Sequence, residues 1–361
     1  MEKPKKIVIT GGPSAGKTTA LARIVEYCQE HGFYPVIIPE VATELINSGF
    51  DPEQEKFQDD VIRKMLFEER LRNQAHYEGR LGTNTVFIYD RGLCDGEAYV
   101  GRELYKTILG RNGIDTVTSR DLYDGVIFLH SAANGAEEFY TLANNQARRE
   151  TLEEARELNT RTLEAWTGSP HVIEITNQPG KTFDDKMDEC VLALSRILGV
   201  PEPLECERKF LLSNFDPEVL PAHTVPIDIV QIYLIGAGKQ VERVRARGQD
   251  NRFLYFHTTK RPHGNGGSIE VEEIIDHREY ENFLIRRDPS LLPIHKTRYC
   301  FHYEGQYCEL DVFQGMRKGL VMLEIEVHDF EQPVQLPPFL GNVTEVTHDS
   351  SFSNYSLAQQ A

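Results

Sequence analysis

Gly11-Gly12-Pro13-Ser14-Ala15-Gly16-Lys17-Thr18 decides how the first half of this chain folds. The pattern is G-x-x-x-x-G-K-T, a phosphate-binding loop. Its glycines let backbone N–H groups turn inward around phosphate oxygens, Lys17 reaches toward β- and γ-phosphates, and the Thr18 hydroxyl is placed to ligate Mg²⁺. The flanks agree. Lys6-Ile7-Val8-Ile9-Thr10 reads as a buried strand running into the loop, and residues 19–31 read as a helix whose N-terminus faces the anion. A chance glycine-rich turn would lack this order of strand, loop and helix. Gly11, Ser14, Ala15, Gly16, Lys17, Thr18 and Thr19 are the candidate nucleotide-binding residues, for ATP or GTP with Mg²⁺ or Mn²⁺.

Working outward, residues 1–199 alternate strand-like and helical segments. Short apolar runs occur at 6–10, 34–39, 85–90, 125–129 and 171–176. Helical patterns lie between them, including 52–78 and 148–166, and 183–198 closes the unit. Continuous apolar runs separated by helices predict an α/β domain with a parallel sheet covered on both faces. In such a sheet the carboxyl ends of strands converge on the ligand crevice. Glu40 and Asp90 each end a strand, and Arg91 follows directly. Asp90 reads as an acid that supports the Mg²⁺ shell; Glu40 reads either as a catalytic carboxylate or as an acid at a helix N-terminus. Arg148 and Arg149 read either as a lid over the phosphates or as solvated helix charges. Thr176-Asn177-Gln178-Pro179 follows the last strand in place of an N-K-x-D guanine reader, which does not exclude GTP.

Gly199-Val200-Pro201-Glu202-Pro203 reads as a linker, and after it the pattern changes. Across 200–361 hydrophobicity alternates with period two over eight stretches: 204–212, 228–235, 240–248, 253–260, 268–275, 294–303, 306–313 and 321–327. One helix-like segment interrupts them near 277–287. An eight-stranded antiparallel domain is expected. Charged residues share one parity: Glu205, Glu207 and Lys209; Arg243, Arg245 and Arg247; Glu270 and Glu272; Lys296 and Arg298; Glu309 and Asp311; Glu324 and Glu326. Lys260 ends its own strand. The opposite parity is largely apolar. An open sheet with its charged face in water fits this pattern, and so does a closed barrel with charges inside. Bases gather on some strands and acids on others, which favours a tunnel with an acidic wall for divalent metal and a basic wall for polyphosphate.

The bulk numbers set bounds. With 361 residues there is room for two cores. A net charge of −17 argues against a broad nucleic-acid or anionic-membrane surface. No stretch approaches a transmembrane span, and the N-terminus lacks the apolar core of a signal peptide. Six cysteines without CxxC spacing read as free thiols in a reducing compartment. A cytoplasmic protein is expected. Protein partners are not legible.

Two resemblances sharpen these expectations. Gly11–Thr18, Pro39-Glu40, and Asp90-Arg91 followed by Asp95 and Tyr99 make the first half similar to P-loop kinases of the nicotinamide riboside kinase type. That resemblance implies a strand-end carboxylate that activates an acceptor hydroxyl and an Asp-Arg pair that handles metal and phosphate. The second half resembles the CYTH family, the triphosphate tunnel metalloenzymes. The matches are Glu205-x-Glu207-x-Lys209, Arg243-x-Arg245, Thr259-Lys260, Lys296-x-Arg298, Leu310-Asp311, Glu324-x-Glu326 and the stretch 349–358. This resemblance implies an eight-stranded α+β tunnel barrel. In it Glu205, Glu207, Asp311, Glu324 and Glu326 bind Mg²⁺ or Mn²⁺, and Lys209, Arg243, Arg245, Lys260, Lys296 and Arg298 grip a triphosphate. Ser268 stands where the family often has an Arg. Glu40, Asp90 and Lys209 are the candidate catalytic residues, with Thr18 and Asp90 as metal ligands in the first half. The expected function is nucleotide binding joined to metal-dependent hydrolysis of a triphosphate-containing small molecule. The alternatives are a nucleotide-dependent switch with a ligand-sensing barrel and a small-molecule kinase.

Overall fold

A computed structural model describes residues 3–54, 56–140, 151–202, 204–213, 215–236, 240–263 and 268–359. The chain divides into two compact units, Met1–Leu198 and Gly199–Ala361.

In the first unit the apolar runs become β1 (Lys5–Gly11), β2 (Tyr34–Ile38), β3 (Thr85–Asp90), β4 (Gly125–Leu129) and β5 (Val172–Ile175). They pair in parallel in the order β2-β3-β1-β4-β5. The helices are α1 (Lys17–Glu30), α2 (Val41–Asn47), α3 (Phe57–Tyr77), α4 (Glu97–Val100), α5 (Arg102–Arg111), α6 (Thr116–Asp121), α7 (Leu152–Ala165) and α8 (Phe183–Leu198). Alternation along each strand sends Ile7, Ile9, Ile88, Ile127 and Leu129 to one face, where Ile24 and Cys28 of α1 and Met187, Cys190 and Leu194 of α8 cover them. On the other face Tyr89 packs edge-on to Tyr123, and Tyr123 packs against the fully buried Trp166. Cover on both sides is why the strands read as unbroken apolar runs. The strand order reverses at β1, which opens a crevice at that strand's carboxyl end.

Two helices are shorter than expected. α3 begins at Phe57, after a turn in which Asp51 accepts hydrogen bonds from the Glu53 and Gln54 backbone N–H groups, through its side chain and its carbonyl; such local bonding competes with helix. α7 begins after Thr151, which forms a reciprocal capping box with Glu154. Arg148 and Arg149 lie outside the described residues.

The second unit contains β6 (Leu204–Glu205), β7 (Glu207–Leu212), β8 (Val225–Tyr233), β9 (Val241–Gln249), β10 (Arg252–Pro262), β11 (Ser268–Ile275), β12 (Ile294–Tyr303), β13 (Gln306–Phe313), β14 (Val321–Glu326) and β15 (Val343–Glu345). Their order is β15-β7-β14-β13-β12-β8-β9-β10-β11-β6, every pair antiparallel. Ten strands, against the eight expected, are counted among the described residues. The first expected strand splits at Cys206, and the short β15 adds an edge. The split matters. Glu205 pairs with Ser268 of β11, while Glu207 pairs with Glu326 of β14, so one stretch of chain has partners at both ends of the sheet order.

One parity of these strands is apolar. Phe210, Leu212, Leu310, Leu323 and Ile325 form one cluster, and Val244, Ala246 and Ile275 pack under Tyr280 of α9 (His277–Leu284). The other parity holds the charges. All six cysteines are buried free thiols. No helix of the described residues is long and apolar enough to cross a membrane.

Candidate active sites

The loop after β1 is fixed by its glycines. Gly11 has φ +143°, and a Cβ there would sit 2.0 Å from the Leu129 carbonyl oxygen of β4, so no larger residue fits. Gly16 caps α1 in a left-handed conformation, φ +93°. Lys17 is the first residue of α1, and its Nζ donates to the carbonyls of Gly11 and Gly12 at 3.3 Å each. Burial, then the nearby Arg91 charge, push the Lys17 ammonium down to about 7, although the side chain keeps some contact with water in the cleft. Thr18 and Thr19 are exposed on the first turn, and with Ser14 and Ala15 they line the cleft.

Three strand-end residues meet opposite this loop. Glu40 caps α2, Asp90 ends β3, and Arg91 takes a left-handed φ of +69°. The Arg91 Nε donates to Glu40 at 2.6 Å, and another of its nitrogens lies 3.5 Å from Asp95. Asp95 in turn accepts from the Gly92 N–H at 2.7 Å and from the Thr10 hydroxyl. Arg91 therefore ties the end of β2 to the segment after β3. Burial would raise the Glu40 carboxyl, but Arg91, Lys17 and Thr43 outweigh it and hold Glu40 below the usual range. Asp90 moves the other way, raised by burial and by the Glu40 charge, and its Oδ1 is buried without a hydrogen-bond partner.

These residues border a cleft of about 1230 Å³ with an apolar wall that includes Phe57, Val61, Met65 and Leu104. Lys186 also lines it, donating to the His130 carbonyl at 2.6 Å and to Asn177 Oδ1 at 2.8 Å. Sequence reasoning missed Lys186. Its signal was a lysine on the buried face of α8, beside Met187 and Cys190.

In the second unit the charged parity forms two networks. In one, Arg298 grips Asp311 through two nitrogens, Nε and Nη2, at 2.7 Å each; Nη2 also reaches Glu324 at 2.6 Å, and Nη1 pairs with Glu309. Lys296 pairs with the same Asp311, which has no exposed surface. Lys209 bridges Glu207 and Glu324, 2.7 Å from each. Burial would raise the Glu324 carboxyl, but Lys209, Lys296 and Arg298 hold it well below the usual carboxylate range. The other network joins Arg243 to Glu270 at 2.8 Å, Arg245 to Glu272 at 2.5 Å, and Lys260 to Glu270 at 3.0 Å and to Glu205. Burial and the Glu270 charge push the Glu205 carboxyl up.

The expected acidic and basic walls are thus not separate. Strands of opposite sign lie near one another in the sheet, and each base meets an acid from another strand. The desolvation cost of bringing unpaired ions inside, several kcal/mol each, explains why. The candidate metal ligands are likewise engaged: Glu205, Glu207, Asp311 and Glu324 face ammonium or guanidinium groups, and Glu326 is exposed at the end of β14. Among the described residues no three His, Cys, Asp or Glu side chains are gathered as a metal-holding group. Ser268 stands opposite Glu205, its Oγ 3.5 Å from the carboxylate.

Comparison with known proteins assigns each unit. Residues 6–182 match a family model described as an AAA domain, which places a P-loop domain in the first unit. An inorganic triphosphatase of Nitrosomonas europaea is 35% identical over 158 residues, 43% of this chain and 96% of that protein. One from Acetivibrio thermocellus is 39% identical over 66 residues, 18% of this chain and 41% of that protein. A crystal structure of an inorganic triphosphatase is 30% identical, covers 44% of this chain and 95% of its own, and superposes with a TM-score of 0.32. The relationship to the Nitrosomonas protein spans nearly its whole length and falls in the C-terminal part of the chain. Through that part, the chain belongs to the inorganic triphosphatase family and is an enzyme of the hydrolase class.

Proposed function

We propose that the second unit hydrolyses a triphosphate-containing small molecule, of the tripolyphosphate, nucleoside triphosphate or thiamine triphosphate class, and that the first binds ATP or GTP. The observation that carries this reading is the set of Arg243, Arg245, Lys260 and Lys209, four cations on one face of an antiparallel sheet. Charge-assisted bonds from guanidinium and ammonium groups suit a chain of phosphoryl oxygens. The bonding of the 204–212 stretch at both ends of the sheet order supports a ring of strands around that face, a tunnel. Lys296 and Arg298 are occupied with Asp311 and serve as its support.

Hydrolysis adds water across a terminal P–O–P bond. The water oxygen forms the new P–O bond, and the bridging oxygen leaves with its electron pair on the shorter phosphate. Arg243, Arg245 and Lys260 hold the anion; Lys209, kept charged between two glutamates, neutralises phosphate charge beside them. The donor sets suit a hard divalent cation. In the first unit the orphaned Oδ1 of Asp90 and the Thr18 hydroxyl would hold Mg²⁺. In the second, Glu207 and Glu326, direct cross-strand neighbours, with Glu205 would hold Mg²⁺ or Mn²⁺ only by exchanging Lys209 and Lys260 for the ion and drawing together around it. Asp311 and Glu324, fully paired with cations, fit that role poorly. Bound metal supplies charge neutralisation on phosphate and a more acidic water.

For the first unit, phosphoryl transfer to a small acceptor in the manner of the nicotinamide riboside kinase type is a second reading. Its support is the cleft, larger than the roughly 300–1,000 Å³ of most single-ligand pockets, with Glu40 held ionised at its edge.

The test measures phosphate release from tripolyphosphate, ATP and GTP with Mg²⁺, Mn²⁺ or chelator, on wild type, Lys17→Ala and Glu207→Gln. Metal-dependent release from tripolyphosphate is expected to survive Lys17→Ala and to fall at least about 100-fold in Glu207→Gln. Normal turnover by Glu207→Gln refutes the tunnel assignment. Tight binding without turnover under any metal replaces hydrolysis by ligand sensing.

A further inference from the structure

β11 carries two glutamates on the charged face, Glu270 and Glu272, to which the proposed reaction gives no task. Their bonding differs from that of the other buried acids. Asp311 takes both the Nε and a terminal nitrogen of Arg298, a complete fork with no exposed surface. Arg243 donates to Glu270 through a terminal nitrogen, and Arg245 donates to Glu272 through a terminal nitrogen. The Nε of Arg243 and the Nε of Arg245 are buried with no hydrogen-bond acceptor. A buried donor without a partner is costly, and a guanidinium half-used by a carboxylate is suited to a larger anion that can fill both arms of the fork. The surroundings of each glutamate also match a phosphoryl group. Lys260 lies 3.0 Å from Glu270, and the Thr258 hydroxyl donates to Glu272 at 2.7 Å.

Resting on the triphosphate reading above, we propose that Glu270 and Glu272 are resident stand-ins for two phosphoryl groups. They neutralise Arg243, Arg245 and Lys260 while the site is empty and are displaced when a polyphosphate enters. The exchange is carboxylate for phosphate on the same cations, with no covalent change. It solves a problem common to buried cationic sites, which would otherwise leave both guanidinium groups without these carboxylates between substrates. It also makes the site selective: an entering anion must outcompete two tethered carboxylates and then tolerate their charge nearby, which a multiply charged chain does better than a single phosphate.

The experiment is calorimetric titration of the full chain with tripolyphosphate in chelator. Lys17→Ala is present in every arm so that the first unit does not compete. Glu270→Gln and Glu272→Gln keep the shape and remove the competing charge, and each is expected to bind tripolyphosphate about tenfold or more tightly. Glu273→Gln, on the exposed face of the same strand, removes an equal charge and is expected to leave affinity unchanged. A second readout needs no loss of charge: with glutamate labelled by ¹³C at Cδ, tripolyphosphate is expected to shift the two resonances that Glu270→Gln and Glu272→Gln delete. Unchanged or weaker metal-free binding in both variants overturns the proposal, as do unshifted resonances in a chain that binds tripolyphosphate. A chain that binds no tripolyphosphate at all, with or without metal, overturns the triphosphate reading itself.

Discussion

Replacing Arg298 by Ala separates support from substrate binding. The guanidinium holds Asp311 through two bonds of 2.7 Å and Glu324 through one of 2.6 Å, and all three side chains are buried. Removing one partner of a buried ion pair typically costs about 3–5 kcal/mol, because the remaining charge stays inside unpaired. Lys296 and Lys209 still face Asp311 and Glu324, so the lower end of that range applies first. For a unit of this size each kcal/mol moves the melting midpoint by about 2–4 °C. The expected fall is therefore about 6–12 °C for the second unit. Far-UV circular dichroism follows both units on heating, and the fluorescence of Trp166, the single tryptophan and buried in the first unit, shows which transition belongs to that unit. The sign of the pH dependence follows from Glu324. Its folded carboxyl is held below the unfolded value, so its stabilising contribution is present above the unfolded value of about 4 and is lost as pH falls through the folded one. The gap between wild type and Arg298→Ala is widest near neutral pH and narrows in acid. A midpoint shift under about 2 °C, with tripolyphosphate affinity lost, would falsify the argument and return Arg298 to the phosphate-gripping set.

Two further outcomes concern the first unit. Lys17 titrates at about 7 in the free protein and is protonated against bound phosphate, so nucleotide binding at pH 8 takes up a proton and weakens as pH rises above 7; equal calorimetric heats in buffers of different ionisation enthalpy would exclude this. If the first unit is a kinase, Glu40→Gln, which removes the carboxylate held by Arg91 at 2.6 Å, is expected to slow transfer to an acceptor on the order of 100-fold while changing nucleotide affinity little; a parallel loss of both would assign Glu40 to structure alone.

Local constraints were legible in the sequence and pairings were not. Gly11 and Gly16 announce themselves because only glycine tolerates their backbone angles and the approach of β4. The parallel strands are legible because burial on both faces demands unbroken apolar runs. In the second half, parity alone separates the charged face from the apolar one. What parity cannot supply is which acid meets which base: Arg243 with Glu270 and Arg245 with Glu272 depend on the register of three strands, and register is a non-local property. β15 was missed because three residues with one partly buried side chain carry no period. The link from Arg91 to both Glu40 and Asp95 depends on the left-handed turn of an arginine, for which the sequence offers no glycine as a sign.

The pairing of the 204–212 stretch with strands from both ends of the sheet order has a consequence for how the chain is made. This segment is the first of its unit to leave the ribosome, yet its hydrogen-bonding neighbours are β11, β14 and β15, and the last two are the last strands to emerge. At about 5–20 residues per second, the segment waits on the order of ten seconds for its second neighbour. Throughout that interval it is a nascent strand with an open edge, the kind of surface that recruits other chains. A chain interrupted before Val321 would present Glu207–Leu212 without β14, so premature termination in this region should yield insoluble rather than merely inactive product.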